Sequence, residues 1–294
     1  MKTVFALVIL LSKLPLKILY IFSDILYFLM YHVIGYRKNV VYENLKNSFP
    51  EKNREELKQI ERRFYSNFSD YIVETLKAFT ITSEELRVRV QHINQEVFHQ
   101  AKDEGKNIIL LSGHIFNWEW YNALATIIPQ EKSFPVYKKM NSDFWEEKIK
   151  NIRNKYGNHA LEAGEVTRHL IKNKNDGNSI YMFVADQSPY ALDISYGLKF
   201  LNQLTPAFTG YDRLATKMDL IFVYCEMKKV KRGFYQVNYY RIYPDGEKFE
   251  PFEVVKKFHK LLENTIQKRP DNWLWSHKRW KYKSVLLEKG YKEQ

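Results

Sequence analysis

The sequence predicts an α/β fold in which helices flank a mixed central β-sheet, preceded by an N-terminal membrane-anchoring helix. Short apolar runs at residues 108–111, 180–184 and 220–225 are typical of buried strands. Between them, apolar residues return every three or four positions, as on one face of a helix. With 294 residues and 45% apolar content, the chain is large enough to bury a substantial core.

Residues 1–36 are predicted to form the membrane anchor. They contain two apolar blocks, at residues 4–11 and 18–34, and no small-residue cleavage site follows the first block. The second block is about 17 residues long, near the lower limit for crossing a bilayer. It also contains Asp24 and His32. The segment therefore either spans the membrane or lies in its interface, and a buried helix of a soluble protein is the third possibility.

Residues 37–294 are predicted to form one domain, in which the anchor has no evident apolar partner. Arg37 and Lys38 would hold the segment after the anchor on the cytoplasmic side. After Pro50, Ile60, Phe64, Phe68, Ile72 and Leu76 lie four residues apart and predict a helix, and a capping box at 82–85 opens the next one. Further helices are predicted at 141–156, at 166–171, ending near Leu214, and at 252–266. Strands are predicted at 134–137, at 180–184, around Cys225 and at 235–242.

An aromatic and basic run, residues 273–281, follows the last predicted helix and reads Trp-Leu-Trp-Ser-His-Lys-Arg-Trp-Lys. Interleaved rings and cations can bind single-stranded nucleic acid by stacking. They can equally pack the tryptophans inward and leave the cations at a membrane surface. The sequence alone leaves both interpretations open.

The predicted chemistry lies at the turn after the strand at 108–111. Ser112 and Gly113 break the apolar run, His114 follows, and Glu119 comes five residues later at the start of a predicted helix. Such strand-to-helix turns carry sites in open α/β sheets. With His114 in the loop and Glu119 in the first helical turn, the carboxylate can orient the imidazole and stabilise its protonated form. This arrangement predicts a general base.

His114 is predicted to take a proton from a substrate hydroxyl, because the sequence contains no nucleophile elbow of the Gly-x-Ser-x-Gly type. The alternative is structural, since a helix dipole alone favours an acidic residue in the first turn. Asp186 ends the strand at 180–184 and could join His114 at the same sheet edge, where it would contact substrate or orient the base. It could equally be a turn aspartate before Pro189.

Composition narrows the classes of partner. The formal net charge of +12 with 16% aromatic residues indicates a basic surface that meets membrane phosphate, an acidic protein or nucleic acid. Cys225 is the only cysteine, so no intrachain disulfide forms, and a buried thiol in a reducing compartment is expected. No Cys/His cluster has zinc spacing, and we expect no metal.

The order of several motifs carries a resemblance over most of the chain. These motifs are the apolar N-terminus, Tyr36-Arg37, Asn44-Leu45, Ser48-Phe49-Pro50, His114 with Glu119, Tyr137-Lys138, Arg153, Asp186-Gln187, Phe208–Gly210, Leu214-Ala215 and 273–281. Together they resemble the late acyltransferases of lipid A biosynthesis, the lauroyl/myristoyl type, within the glycerolipid acyltransferase-like superfamily. A His-x4-Glu element alone would be a weak signal.

The resemblance implies an acyltransferase domain at 37–294 that moves a fatty acyl group from an acyl carrier protein thioester, or a CoA thioester, to a hydroxyl of an anionic lipid. The implied acceptor is a lipid A precursor at the cytoplasmic face of the inner membrane. The resemblance implies no cofactor apart from the acyl donor itself. Amino-acid-linked lipids and lysophospholipids are alternative acceptors. The competing class is a non-enzymatic, membrane-attached polyanion-binding protein. No nucleic-acid motif accompanies the charge, so nucleic acid is not an expected partner.

Within this resemblance, His114 deprotonates the acceptor hydroxyl while Glu119 orients and charge-stabilises the imidazole. Lys138 and Arg153 are expected to contact phosphate or phosphopantetheine, with solvated helix charges as the alternative. Asp186 and Gln187 are expected to contact substrate.

Two residues depart from the family pattern, in which glycine is common at both positions. Phe116 stands two residues after His114, and Asn202 follows Phe200-Leu201. Phe116 is expected to line the acyl channel and bias acyl choice, because small volume changes in an apolar pocket alter discrimination. The alternative is that its ring packs into the core.

Overall fold

The computed structural model describes residues 2–292 and contains a seven-stranded mixed sheet. The spatial order of its strands is β1-β9-β8-β2-β5-β3-β4, and β6 with β7 forms a separate hairpin. All neighbours in the large sheet are parallel except β8 and β9. The strands are β1 Val90–Ile93, β2 Ile108–Ser112, β3 Lys132–Tyr137, β4 Leu161–Glu162, β5 Ser179–Val184, β6 Gly197–Phe200, β7 Gln203–Pro206, β8 Ile221–Lys231 and β9 Phe234–Ile242. The predicted α/β class is confirmed.

Helices cover the sheet and extend along the N-terminal part of the chain. They are α1 Lys2–Ser12, α2 Leu16–Phe28, α3 Lys38–Ser48, α4 Arg54–Lys77, α5 Ser83–Arg89, α6 Glu96–Asp103, α7 Asp143–Arg153, α8 Val166–Lys172, α9 Asp212–Ala215, α10 Glu253–Lys268 and α11 Lys283–Glu288. A π-helical stretch, Leu29–Ile34, continues α2. Asn53 and Glu56 form a capping box at α4, which the sequence analysis did not predict. At α5, where a capping box was predicted, Thr82 accepts a hydrogen bond from the Glu85 amide, and the Glu85 side chain pairs with Arg89.

The centre of the sheet explains why β2 reads as an unbroken apolar run. β2 lies between β8 and β5, and all five of its residues are buried because both faces of the sheet are covered. Ser112 pairs with Val184, so the parallel strands β2 and β5 end side by side. The residues that follow each strand therefore leave the sheet at the same edge.

One predicted helix takes a different form. The segment Trp118–Thr126 is a 3₁₀-helix, not the α-helix that its apolar spacing predicted. Six consecutive residues, 119–124, are buried, so the segment has no solvent-facing stripe. A segment that packs on all sides has no polar face, so the spacing of its apolar residues does not distinguish an α-helix from the more tightly wound 3₁₀-helix.

The departure at Asn202 has a local explanation. Leu201 and Asn202 form the two-residue turn between β6 and β7, with φ of 48° and 64°. Two central residues with positive φ are the mark of a hairpin turn that glycine and asparagine favour. Asparagine therefore replaces glycine here at little conformational cost.

Helix α2 lies antiparallel along α4. Leu16, Leu19, Met30 and Tyr31 are buried in the main hydrophobic core. The contacts run in reverse order along the two helices: Lys77 donates to the Leu14 carbonyl, Tyr20 to Glu74 and Ser23 to Asp70, and Tyr31 packs on Tyr65. The expectation that the anchor has no partner in the rest of the chain is therefore wrong. Its partner face was invisible in the sequence because it mixes apolar and polar residues.

Glu74 is the centre of this contact. Its carboxylate is fully buried and accepts hydrogen bonds from Tyr20 Oη at 2.7 Å, Tyr235 Oη at 2.6 Å and Asn117 Nδ2 at 3.0 Å. Burial raises the pKa of Glu74, whereas the bonds from Tyr235 and Tyr20 oppose that shift. One carboxylate thus joins α2, α4, β9 and the turn after β2.

The opposite face of the N-terminal helices is apolar and exposed. The 19-residue stretch Leu16–Ile34 has a mean hydropathy of 1.4 over its most apolar window, and only 22% of that window is buried. Its exposed apolar residues are Ile18, Ile21, Phe22, Ile25, Phe28, Leu29, Val33 and Ile34, and α1 adds Val4, Leu7 and Leu10. By length and composition this stretch is a candidate membrane span. A patch of this size marks an interaction surface.

Deletion of residues 1–36 is expected to destabilise the protein. It removes four buried apolar side chains and leaves Glu74 Oε1 without its donor. The expected loss is on the order of 5 kcal/mol, or a melting temperature lower by roughly 10 °C or more. In the full chain, Tyr20→Phe should cost about 1–3 kcal/mol. Tyr243→Phe is the exposed control. Thermal unfolding in detergent measures all three, and an unchanged melting temperature on deletion would mean a detachable anchor.

Candidate active site

His114 leaves the carboxyl edge of β2 through a turn at Gly113. A Cβ at Gly113 would lie 2.6 Å from Leu262 Cδ1 of α10, so a larger residue would force this buried leucine to move. Glycine lets the chain pass close to α10 without that rearrangement. This places His114 above the end of β5, with its side chain 16% exposed.

Asp186, which follows β5, binds the imidazole at Nδ1. Its Oδ1 lies 2.5 Å from His114 Nδ1, and its Oδ2 accepts hydrogen bonds from the His114 amide at 3.0 Å and from Trp273 Nε1 at 2.6 Å. Burial alone would raise the pKa of Asp186. The charge and hydrogen bonds of His114, with the bond from Trp273, outweigh burial and hold the pKa of this carboxyl below its usual range. Asp186 is therefore an ionised acceptor at neutral pH.

The same contact fixes which imidazole nitrogen carries the proton. A carboxylate only accepts, so Nδ1 is the protonated nitrogen. Nε2 then carries a lone pair and lies 3.1 Å from the side-chain amide of Gln187. The Trp118 ring meets the imidazole edge-on at 4.8 Å between centroids. Nε2 is the atom available to take a proton from a ligand.

Glu119 does not serve as the partner of the imidazole. Its carboxylate pairs with Arg153, with Arg153 Nη2 at 2.9 Å from Oε1 and Arg153 Nε at 3.4 Å from Oε2. Our expectation that Glu119 orients His114 is therefore corrected: Asp186 has that position. The physical reason is the turn itself, which directs His114 towards the end of β5 while the 3₁₀-helix directs Glu119 towards the end of α7. Burial lowers the pKa of Arg153, and the charge of Glu119 more than offsets it.

Aromatic rings form a wall beside the imidazole. Tyr71 of α4 packs on Trp118, with the ring centroids 4.0 Å apart and the ring planes tilted by 30°. Behind Trp118 lies Phe116, 1% exposed, whose ring also contacts Tyr71, Phe64 and Phe68. The structure therefore favours the packing alternative for Phe116. Neither Tyr71 nor Trp118 was singled out from the sequence, because aromatic residues at helical spacing are most often core.

Lys138 and Arg153 lie on different elements. Lys138 follows β3 and places its ammonium over the Tyr190 ring, whereas Arg153 ends α7 and pairs with Glu119. Neither forms a hydrogen bond with His114, whose side-chain partners among the described residues are Asp186 and Gln187. Lys138 meets Tyr190 because β3 and β5 are neighbouring parallel strands, so the residues that follow them leave the sheet side by side.

The aromatic and basic run at 273–281 packs inward. Trp273, Trp275 and Arg279 are buried, so these rings cannot serve as a stacking platform for nucleic acid. Arg279 donates to Ser188, to Thr205 and to the Pro206 carbonyl, and burial lowers its pKa to about 10. The run thus packs against the residues that follow β5, through Trp273 on Asp186 and Arg279 on Ser188. Its link to Asp186 was not predictable, because the sequence does not say which tryptophan faces inward.

Metal ligands do not converge in the described part of the chain. Within residues 2–292, no group of three or more His, Cys, Asp or Glu side chains could hold a metal ion.

Comparison with protein families gives a match that covers nearly the whole chain. Residues 3–282 match the family described as bacterial lipid A biosynthesis acyltransferase. No individual curated protein matches the chain significantly. The family match sets aside the alternative of a non-enzymatic polyanion-binding protein. The chain belongs to the bacterial lipid A biosynthesis acyltransferase family and is an acyltransferase.

Proposed function

We propose that the protein transfers a fatty acyl group from an acyl carrier protein thioester to a hydroxyl of a lipid A precursor, at the cytoplasmic face of the inner membrane. The observation that carries this proposal is the imidazole of His114, whose Nδ1 lies 2.5 Å from buried Asp186 and whose unprotonated Nε2 meets the side-chain amide of Gln187, which an acceptor hydroxyl would displace. A base held in this tautomer is suited to deprotonating a hydroxyl.

The reaction is a direct transfer. His114 Nε2 removes the acceptor hydroxyl proton as the oxygen attacks the thioester carbonyl. Asp186 stabilises the imidazolium that forms. The tetrahedral intermediate then expels the thiolate, which takes the proton back from Nε2, so that the products are an ester and a thiol. No covalent enzyme intermediate is needed, since neither side-chain partner of His114 among the described residues is a hydroxyl or a thiol.

The remaining predicted residues have roles around this centre. Gln187 lies at Nε2 and would orient the acceptor hydroxyl. Arg153, held by Glu119, presents a fixed guanidinium for a phosphate of the donor prosthetic group or of the acceptor. Lys138 would contact lipid phosphate at the rim. The net charge of +12 favours encounters with an acidic carrier protein and an anionic lipid surface.

The N-terminal helices are proposed to lie in the membrane interface. Because α2 runs along α4 for its whole length, a membrane-crossing α2 would carry α4 into the bilayer. The part of α4 that lies beside α2, residues 65–77, contains Asp70, Glu74 and Lys77. Charged residues at bilayer depth are costly. An interfacial helix instead buries only its exposed apolar face.

Acyl transfer should depend on His114. Purified protein is incubated with radiolabelled acyl carrier protein thioesters or acyl-CoA, and with lipid A precursors, lysophospholipids and amino-acid-linked lipids. Product formation from the carrier thioester and a lipid A precursor is expected. His114→Ala should lower the rate by about 10³-fold or more, whereas His99→Ala, on exposed α6, should not change it. Turnover retained in His114→Ala would refute the mechanism, and another preferred acceptor would refute the substrate.

Asp186→Asn should impair both activity and stability. The amide group would place a donor opposite His114 or Trp273, so we expect a rate loss on the order of 10³- to 10⁴-fold at pH 7. The folded-state pKa of Asp186 lies below the ordinary value of 3.8. The carboxylate therefore stabilises the fold above about pH 4, and this contribution is lost as pH falls below that value. Denaturant unfolding from pH 7 to pH 3 should show the wild-type advantage shrinking, whereas a constant difference would contradict this assignment. Asp103→Asn on exposed α6 is the control.

Phe116→Ala should lower stability without changing acyl preference. Removal of a ring packed among four aromatic neighbours is expected to cost about 3–5 kcal/mol. Melting temperature and the mass of products formed from a series of donor chain lengths give the two readouts. A shifted chain-length distribution at unchanged melting temperature would instead place Phe116 in the acyl channel.

A further inference from the structure

We infer that the loop after β5, residues 187–193, is a second membrane-contact element that seats the mouth of the active site on the lipid surface. We call it the β5 loop. The inference rests on the proposed function in one respect, that the acceptor is a membrane lipid. Its occupant is the surface of an anionic bilayer.

The β5 loop carries exposed apolar side chains directly beside the site. It begins at Gln187, which contacts His114 Nε2, and within the next five residues it presents Tyr190 at 58% exposure and Leu192 at 100% exposure. A fully exposed leucine at a loop tip gains nothing in water, whereas it gains free energy on entering a lipid phase. Tyrosine is enriched where one end of the side chain is apolar and the other wet, as at membrane interfaces.

The cations around the loop match a headgroup layer. Lys138 lies over the Tyr190 ring, 3.0 Å from its centroid, and Lys139 is exposed next to it. Met140 follows and is also exposed. A rim in which lysines flank exposed Tyr, Leu and Met side chains is complementary to anionic phosphates above acyl chains.

The rim is continuous with the N-terminal helices. The Met140 amide donates to Glu146 in the first turn of α7. The neighbouring Phe144 and Trp145 pack on Phe5 of α1. Phe5 lies beside the exposed apolar residues Val4 and Leu7. Contacts and sequence neighbours therefore link the β5 loop to α1, and the proposal places both on one lipid surface.

The placement has a consequence for acceptor access. The β5 loop rises from the same sheet edge as His114, so insertion of its tip would bring Nε2 close to the headgroup layer. A lipid hydroxyl at headgroup depth could then reach the base while its acyl chains stay in the bilayer. Extraction of the whole lipid into water, with its large hydrophobic cost, would be avoided.

Introduced cysteines provide a direct test, because the native Cys225 is buried. Leu192→Cys is labelled with an environment-sensitive fluorophore in the full-length protein and bound to phosphatidylethanolamine/phosphatidylglycerol vesicles. Ile171→Cys is the matched control, since Ile171 is an aliphatic residue with 73% exposure. It lies near the end of α8, and the following Lys174 and Asn175 contact Asn107 at the amino end of β2, so it is at the opposite sheet edge.

The label at 192 should be quenched by nitroxide-bearing lipids and protected from aqueous iodide, and the label at 171 should show the reverse. Equal iodide quenching at both sites would overturn the inference. Protection at 192 that appears only when acyl carrier protein is added would overturn it as well, in favour of a carrier-docking surface.

A functional readout separates this inference from the proposed function. Leu192→Glu should raise the apparent KM for acceptor presented in vesicles on the order of tenfold. The increase should be much smaller for a short-chain acceptor dispersed in detergent, and Ile171→Glu should change neither value. Equal losses on both acceptors would refute membrane seating. If no lipid is acylated but the label at 192 is buried in the vesicle, the proposed function fails while membrane seating stands.

Discussion

The active site depends on the hydrogen bonds that converge on Asp186. Three donors from two distant parts of the chain share its two oxygens: the amide and imidazole of His114, and the indole of Trp273. Removal of any of them would leave a fully buried ionised oxygen less satisfied, which is a large penalty. The paired ends of β2 and β5, the Gly113 turn and the C-terminal run are all constrained by this one requirement.

The two carboxylates of the site have different partners. Asp186 is buried and faces the imidazole, whereas Glu119 faces the partly exposed Arg153. The Trp118 ring lies beside the imidazole, and Tyr71 packs on Trp118. Burial raises the pKa of the Tyr71 hydroxyl, and the negative charge of Glu119 raises it further. The separation matters chemically, because a second carboxylate at the imidazole would compete for the same proton. With Arg153 as its partner, Glu119 instead fixes the position of a guanidinium.

Much of the fold was predictable because its signals are local. Apolar runs marked β2 and β5, the four-residue spacing of apolar residues marked α4, Thr82 marked the start of α5, and the break at Ser112-Gly113 marked the turn that carries His114. The assignment of partners was not predictable in the same way. Spacing placed Glu119 within reach of His114, but the direction in which each side chain leaves the turn depends on a 3₁₀-helix set by packing. Trp273, which is 159 residues beyond His114 in sequence, left no local signal of its contact with Asp186.

The N-terminal helices show why the anchor and the enzyme belong to one unit. Tyr20 of α2 and Asn117 of the turn after His114 bind opposite oxygens of the same buried Glu74 carboxylate. A displacement of α2 would therefore disturb an acceptor that also holds the side chain of Asn117, three residues from His114. The outer face of α2 is apolar and exposed, so whatever surface covers that face is linked to the turn of His114 through the hydrogen bonds of Glu74.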